Sequence, residues 1–290
     1  MLTRRWTTWI IAALLCAVMS FAQATQNPYG LPDELMPLWD SLSIKQKAAQ
    51  LIMVYMSPAE FLVKNEFGGV LVMKSHLNKK DNFIHNLTQA NAKLRIPLLV
   101  ASDQEGGRVN RIGGISEKWK HAPSAYEMRD MEPDSVRAIA NSIGSELKAL
   151  GINLNLAPVL DPALDHRNKK SFMEESHRSW DKDSSSGEKV AAFVQGMKDN
   201  GIVCAAKHFP GYDSWTNSDH QIAISASPLA KIQRNVGLFK AQSDIIPVTM
   251  MSSVRFIRIS NRPAVFDSRI VGWQGKCRPK PSSSPTTCGA

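Results

Sequence analysis

The sequence predicts an α/β fold built on a parallel sheet. Three observations carry this: short apolar runs of strand length, stretches of helical period between them, and polar residues placed just beyond three of the runs. The runs are 51–55, 69–73, 98–101, 154–157, 203–206 and 246–251. They are predominantly apolar, as expected of strands covered on both faces, with Asn155 and Thr249 the polar interruptions. Periodicity alone leaves open an incomplete eight-stranded barrel or an open doubly wound sheet.

Residues 1–24 come first and stand apart. Arg4 and Arg5 give a positive start, 9–18 is apolar, and Ala22-Gln23-Ala24 offers a small-x-small cleavage site, the order of a secretory signal peptide. The apolar run is shorter than the ~20 residues of a spanning helix, so no membrane span is expected after cleavage. The expected location is therefore outside the cytoplasm, periplasmic or extracellular. Between the later strand runs, 135–150 carries Val136, Ile139, Ile143 and Leu147 at helical spacing and stops at Gly151. A second helix is expected over 187–200. Residues 25–273 read as one domain, since 290 residues with 43% hydrophobic and 21% charged suit one large α/β unit. From 274 to 290 the composition turns to Pro, Ser and Thr with no apolar period, and a disordered or aberrant tail is expected there.

Net charge is +9, yet no dense Lys/Arg stripe with interleaved aromatics exists, which argues against nucleic acid. Export and a basic balance together fit an anionic cell-wall or surface glycan. The cysteines are Cys16, Cys204, Cys277 and Cys288. Cys204 reads as a buried thiol, Cys277 and Cys288 could close a short loop, and no spacing suggests zinc. The phosphate-loop pattern is absent, and no cofactor or metal is expected.

Two stretches concentrate chemistry. PLLVASDQEGGRVNR (97–111) leaves a strand with Asp103 and Glu105, then Gly106-Gly107, then Arg108 and Arg111. The glycines let the backbone pass close to a ligand or a neighbouring loop. AKHFPGYDSWTNSDHQ (206–221) leaves another strand with Lys207 and His208, turns at Pro210-Gly211, and ends near Asp219 and His220. A lone His in a loop is more often structural. Polar clusters at three strand C-termini, Asp161 being the third, favour a site, because barrels carry catalytic groups there.

DQEGGRVNR (103–111) resembles the signature of glycoside hydrolase family 3. KHFPG (207–211) with His220 downstream is similar to the loop of that family's β-N-acetylglucosaminidase (β-N-acetylhexosaminidase) branch. SIKQKAAQLIMV (43–54), GGVLVM (68–73), NLAPVLDP (155–162) and HRSW (177–180) follow the same order, so the resemblance runs over about 42–272. It implies a TIM-type (β/α)₈ barrel, here incomplete with about six βα units. It implies release of terminal β-linked N-acetylglucosamine from peptidoglycan fragments or chitin-like oligosaccharides by a retaining mechanism. The partner would be an amino-sugar oligosaccharide, with no cofactor.

By the same resemblance, Asp103, Arg111, Arg178, Lys207 and His208 grip the sugar, and Glu105 and Arg108 support them. His220 would be the general acid/base, a fitting role for a group that titrates near neutrality. The branch pairs this His with an Asp two residues earlier, where Ser218 stands here. Asp219 is taken as the partner, with Asp213 as the alternative. Tyr212 and Asp213 replace the branch's usual His and Gly. The family's nucleophile motif belongs shortly beyond Trp273, where this chain reads SSSPTTCGA, and no acidic residue follows Asp267. The expectation is that the last two βα units are missing, the barrel stays open and glycosidase activity is impaired. A non-catalytic glycan-binding remnant, a non-functional fragment and a β-glucosidase are the competing readings. Expressed in an exporting host, the mature chain should begin at Thr25, which N-terminal sequencing checks.

Overall fold

The structure, a computed structural model, describes residues 31–275. The expected signal segment 1–24, Cys277, Cys288 and positions 276–290 of the tail expected over 274–290 lie outside the described residues, whereas 274 and 275 end a helix. Among the described residues, those up to 49 belong to one unit and those from 50 onward to another. In the first, the helices Met36–Ser41 and Ile44–Ala49 bring the Lys47 ammonium 4.5 Å from the centre of the Trp39 ring.

The second unit is built on the predicted sheet. Strands β1 (Met53–Tyr55), β2 (Gly69–Val72), β3 (Leu99–Ser102), β4 (Leu154–Asn155), β5 (Val203–Phe209) and β7 (Val248–Met251) pair in parallel in that order. A separate parallel pair joins β6 (Ile224–Ser225) to β8 (Arg255–Phe256). The main sheet curls through part of a barrel, and among the described residues β1 and β7 are its unpaired edges. All six apolar runs therefore become strands, and the barrel reading prevails over the doubly wound one.

The two faces of the sheet are treated differently. Val70, Val72, Val100, Cys204 and Ala206 belong to the main buried core. The alternate residues point the other way, and Leu71, Ala101, Leu154, Leu156 and Ala205 form a second, small apolar cluster. At its margins this inner face is open: Leu51 is 89% and Tyr55 62% exposed. Together with Met53, Val248 and Met250 they line a trough of about 920 Å³. Among the described residues no helix is long and apolar enough to cross a membrane.

The predicted helices over 135–150 and 187–200 appear as Pro133–Ala149 and Ser186–Lys198. Proline starts the first, where its missing N–H costs no intrahelical bond. Val136, Ala140, Ile143 and Leu147 face inward from one, Val190, Phe193, Val194 and Met197 from the other. The two pack so closely that a Cβ on Gly196 would stand 2.5 Å from the Arg137 carbonyl oxygen and 2.7 Å from the Asn141 nitrogen. Asn200 closes their ends, its amide donating to the Asn141 carbonyl at 2.9 Å. A last helix, Ser268–Gly275, runs to the end of the described chain.

Gly196→Ala should force these helices apart. A cost of about 1–3 kcal/mol is expected, the usual range for overpacking, seen as a lower urea midpoint at unchanged m-value.

Candidate active site

Three strand ends meet at the C-terminal side of the sheet: the residues after β3, those after β4, and the end of β5. Asp103 lies one residue past β3, and Lys207 lies within β5 on the inner face. The two side chains meet, Lys207 Nζ standing 2.6 Å from Asp103 Oδ1. The same ammonium lies 2.6 Å from Glu105 Oε1. Lys207 is 2% exposed, so these carboxylates stand in for lost hydration.

Glu105 also receives a two-pronged ion pair from Arg178, Nε to Oε2 at 2.8 Å and Nη2 to Oε1 at 3.0 Å. Burial alone would raise the Glu105 pKa, but the charges of Lys207 and Arg178 outweigh it and hold the carboxyl down at about 2. Arg178 is raised: burial opposes its charge, but Glu105, Asp161 and Asp103 sustain it. Asp103 has the freer carboxylate. Its second oxygen meets Arg111 only at 3.5 Å, and the side chain keeps 16% exposure.

His208 is held from behind. Its Nδ1 lies 2.6 Å from Asp161 Oδ2, while its backbone N–H donates to Asp161 Oδ1 at 2.9 Å. The Tyr212 N–H donates to the same oxygen. Asp161 is fully buried, so it fixes both the ring and the turn that follows it.

The loops reach these positions for local reasons. Gly106 and Gly107 adopt φ +89° and +55°, and a Cβ on either would collide with Pro123 or Ser124. The close approach that the glycines serve is thus to a neighbouring loop. Buried Gln104 accepts from the N–H groups of Arg111 and Ile112 at 2.8 and 3.1 Å, which sets the position of Arg111. Arg178 follows a short helix, Phe172–Glu175, capped by the Ser171 hydroxyl. A buried pair, Arg129 with Glu174 at 2.8 and 2.9 Å, ties that segment down.

Asp103, Arg111, Arg178 and Lys207 therefore come together in one network with Glu105, and His208 stands beside it on Asp161, whose charge Arg178 also feels. His220 and Asp219 do not join it: both are exposed on the following loop, and neither side chain has a hydrogen-bond or ion-pair partner among the described residues. Asp213 turns inward instead, 1% exposed, accepting from the Ser227 hydroxyl. Burial raises its pKa against the opposing Ser225 and Ser227 hydrogen bonds. Arg108 is exposed. Glu105, read in sequence as support, holds Lys207 and Arg178; Asp161, noted only as a polar residue after a strand, and Gln104 had been given no specific part. Their one visible signal was position, directly after a strand end.

The description "Glycosyl hydrolase family 3 N terminal domain" matches residues 43–272. The chain belongs to this family. It is 30% identical over 214 residues to Beta-hexosaminidase LpqI of Mycobacterium tuberculosis, covering 70% of this chain and 50% of that protein. It is 29% identical over 212 residues to Beta-hexosaminidase of Pseudomonas aeruginosa, covering 70% and 60%. The chain thus spans between half and three-fifths of the length of these relatives. Among solved structures, β-N-acetylhexosaminidase from Beutenbergia cavernae superposes with TM-score 0.67 at 28% identity, over 81% of this chain and 75% of that one. The structure of M. tuberculosis LpqI gives 0.71 at 26%, over 84% and 73%.

Glu105→Gln should leave Lys207 and Arg178 short of compensating charge and cost about 3 kcal/mol of stability. Since the folded pKa lies below the ordinary 4.5, the stabilisation is complete above pH 4.5 and fades as pH falls toward 2. Urea melts across that range should show a steeper acid loss for the native chain than for Glu105→Gln.

Proposed function

We propose that this chain recognises terminal β-linked N-acetylglucosamine and serves its hydrolytic release from amino-sugar oligosaccharides, peptidoglycan fragments or chitin-like chains. The observation that carries this reading is the Asp103 carboxylate. It is held on one side by a buried lysine, and its other oxygen is free enough to accept hydrogen bonds from a vicinal diol. Arg111, Arg178, Lys207 and His208 surround it with donors for hydroxyls and for the N-acetyl carbonyl. The names of the relatives supply the sugar class.

The chemistry on this reading is retaining. The His220 imidazolium gives its proton to the bridging oxygen as the bond from C1 to that oxygen breaks. Asp219 is its neighbour in sequence but is not paired with it in this structure, and would have to turn toward the ring to steady the charge. A carboxylate takes the sugar, and water then releases it with neutral imidazole as base. Among the described residues at the mouth, Asp103, Glu105 and Asp161 are each engaged by cations or backbone N–H groups. None of them is assigned as the nucleophile. Residues 1–24 act as an export signal on this reading, which puts the chain in the periplasm or outside the cell.

A second reading, a glycan-binding module without turnover, is favoured by the same engagement of all three carboxylates. Calorimetry separates these from a chain with no glycan function. The 290-residue chain should bind N-acetylglucosamine in preference to glucose, and Asp103→Asn should weaken binding about 10- to 100-fold, the range for a charged hydrogen bond. Equal affinity of the native chain and Asp103→Asn would sink the sugar reading. An aryl N-acetyl-β-glucosaminide assay adjudicates the rest. Turnover that is abolished in His220→Ala establishes the catalytic reading, and sugar binding without turnover establishes the binding one.

A further inference from the structure

The loop that carries His220 also carries Trp215, which is 64% exposed. The indole is the largest apolar side chain there, and exposing it costs the chain a favourable burial. The backbone is tied down on both sides of the residue, so the exposure belongs to a fixed segment. The Ser214 carbonyl accepts from the Phe172 N–H at 2.9 Å. The Thr216 carbonyl accepts from the Tyr212 hydroxyl. Tyr212 in turn donates its N–H to Asp161, the carboxylate that holds His208, and sets its ring edge 5.9 Å from the His208 ring. Trp215 is therefore the neighbour in sequence of Thr216, which Tyr212 ties to the Asp161–His208 pair, and its ring is largely in solvent.

We infer that Trp215 is a stacking platform for the second sugar ring, the one on the leaving side of the scissile bond. This rests on the proposed sugar-binding function. The terminal ring occupies the network around Asp103. The proton donor must face the bridging oxygen, so the ring beyond that oxygen lies toward the donor's loop. A β-linked pyranose with equatorial substituents presents a flat face of axial C–H bonds. Such a face fits the negative face of an indole, whose large rigid surface loses little conformational freedom on contact. The inferred ligand class is a β-linked disaccharide or longer chain of equatorial amino-sugars, in place of a monosaccharide with a small aglycone.

The test is the ratio of affinities for N,N'-diacetylchitobiose and N-acetylglucosamine, measured by calorimetry on the full chain. The native chain should favour the disaccharide about 2- to 10-fold, the range of one aromatic stacking contact. Trp215→Ala should bring the ratio close to one, and Trp215→Phe should keep most of it. Circular dichroism checks that both variants are folded. A ratio unchanged in folded Trp215→Ala, with both sugars still binding in an Asp103-dependent way, overturns the platform and leaves the sugar pocket standing. Failure of both sugars to bind the native chain overturns pocket and platform together.

Discussion

The buried ammonium of Lys207 is the constraint around which the mouth of this sheet is organised. A charge at 2% exposure demands partners, and it finds two carboxylates, Asp103 and Glu105, each at 2.6 Å. Those come from the loop after β3, whereas the lysine belongs to β5 with β4 between them. One cation thus ties together loops that share no strand pairing. Glu105 then needs Arg178, and Arg178 needs the 171–181 segment in place, which explains the second buried pair of Arg129 and Glu174. The polar residues are arranged as a chain of obligations, each satisfied by the next.

The same alternation that turns Lys207 inward turns the apolar trough inward too. Along β5, Val203, Ala205 and Lys207 share one face, while Cys204 and Ala206 join the core beneath the helices. The inner face is therefore apolar along its length and charged only where it opens at the strand C-termini. Lys207 and Glu105 are themselves buried, which lowers the local dielectric response, so the ion pairs at the mouth hold their geometry more firmly than surface pairs would.

Much of the fold was legible because strands covered on both faces leave predominantly apolar runs. The run 203–206 nevertheless stopped short. β5 continues to Phe209 because Lys207 and Phe209 still pair with β7, and a lysine inside a strand breaks the apolar signal. The helix Lys80–Asn91 escaped notice because Lys, Asp, Asn and Gln dominate it and only Phe83, Leu87 and Ala90 are buried. The β6 and β8 pair is two residues a strand, too short for any period. At the site, residue types at strand ends were readable, but partnerships were not. Asp161 and His208 are separated by 47 positions, and Arg178 and Glu105 by 73, distances over which spacing carries no information. The glycines at 106 and 107 were read correctly as close-approach positions, with two possible neighbours left open, and the structure selects the adjoining loop.

The remaining contrast lies between what is clamped and what is not. Asp103, Lys207, Glu105, Arg178 and His208 are each held by at least one charged partner, so a ligand placed among them meets donors and acceptors that need no rearrangement. The residues from 218 to 221 are exposed, and the side chains of Asp219 and His220 have no such partners among the described residues. Between these extremes, Tyr212 links the two regions, its N–H on Asp161 and its hydroxyl on the Thr216 carbonyl. The replacement of the branch's usual His and Gly by Tyr212 and Asp213 therefore has a structural consequence. The Tyr212 hydroxyl holds the Thr216 carbonyl and the buried Asp213 carboxylate holds the Ser227 hydroxyl, so side chains tie down the first half of the loop, whereas residues 218–221 are exposed.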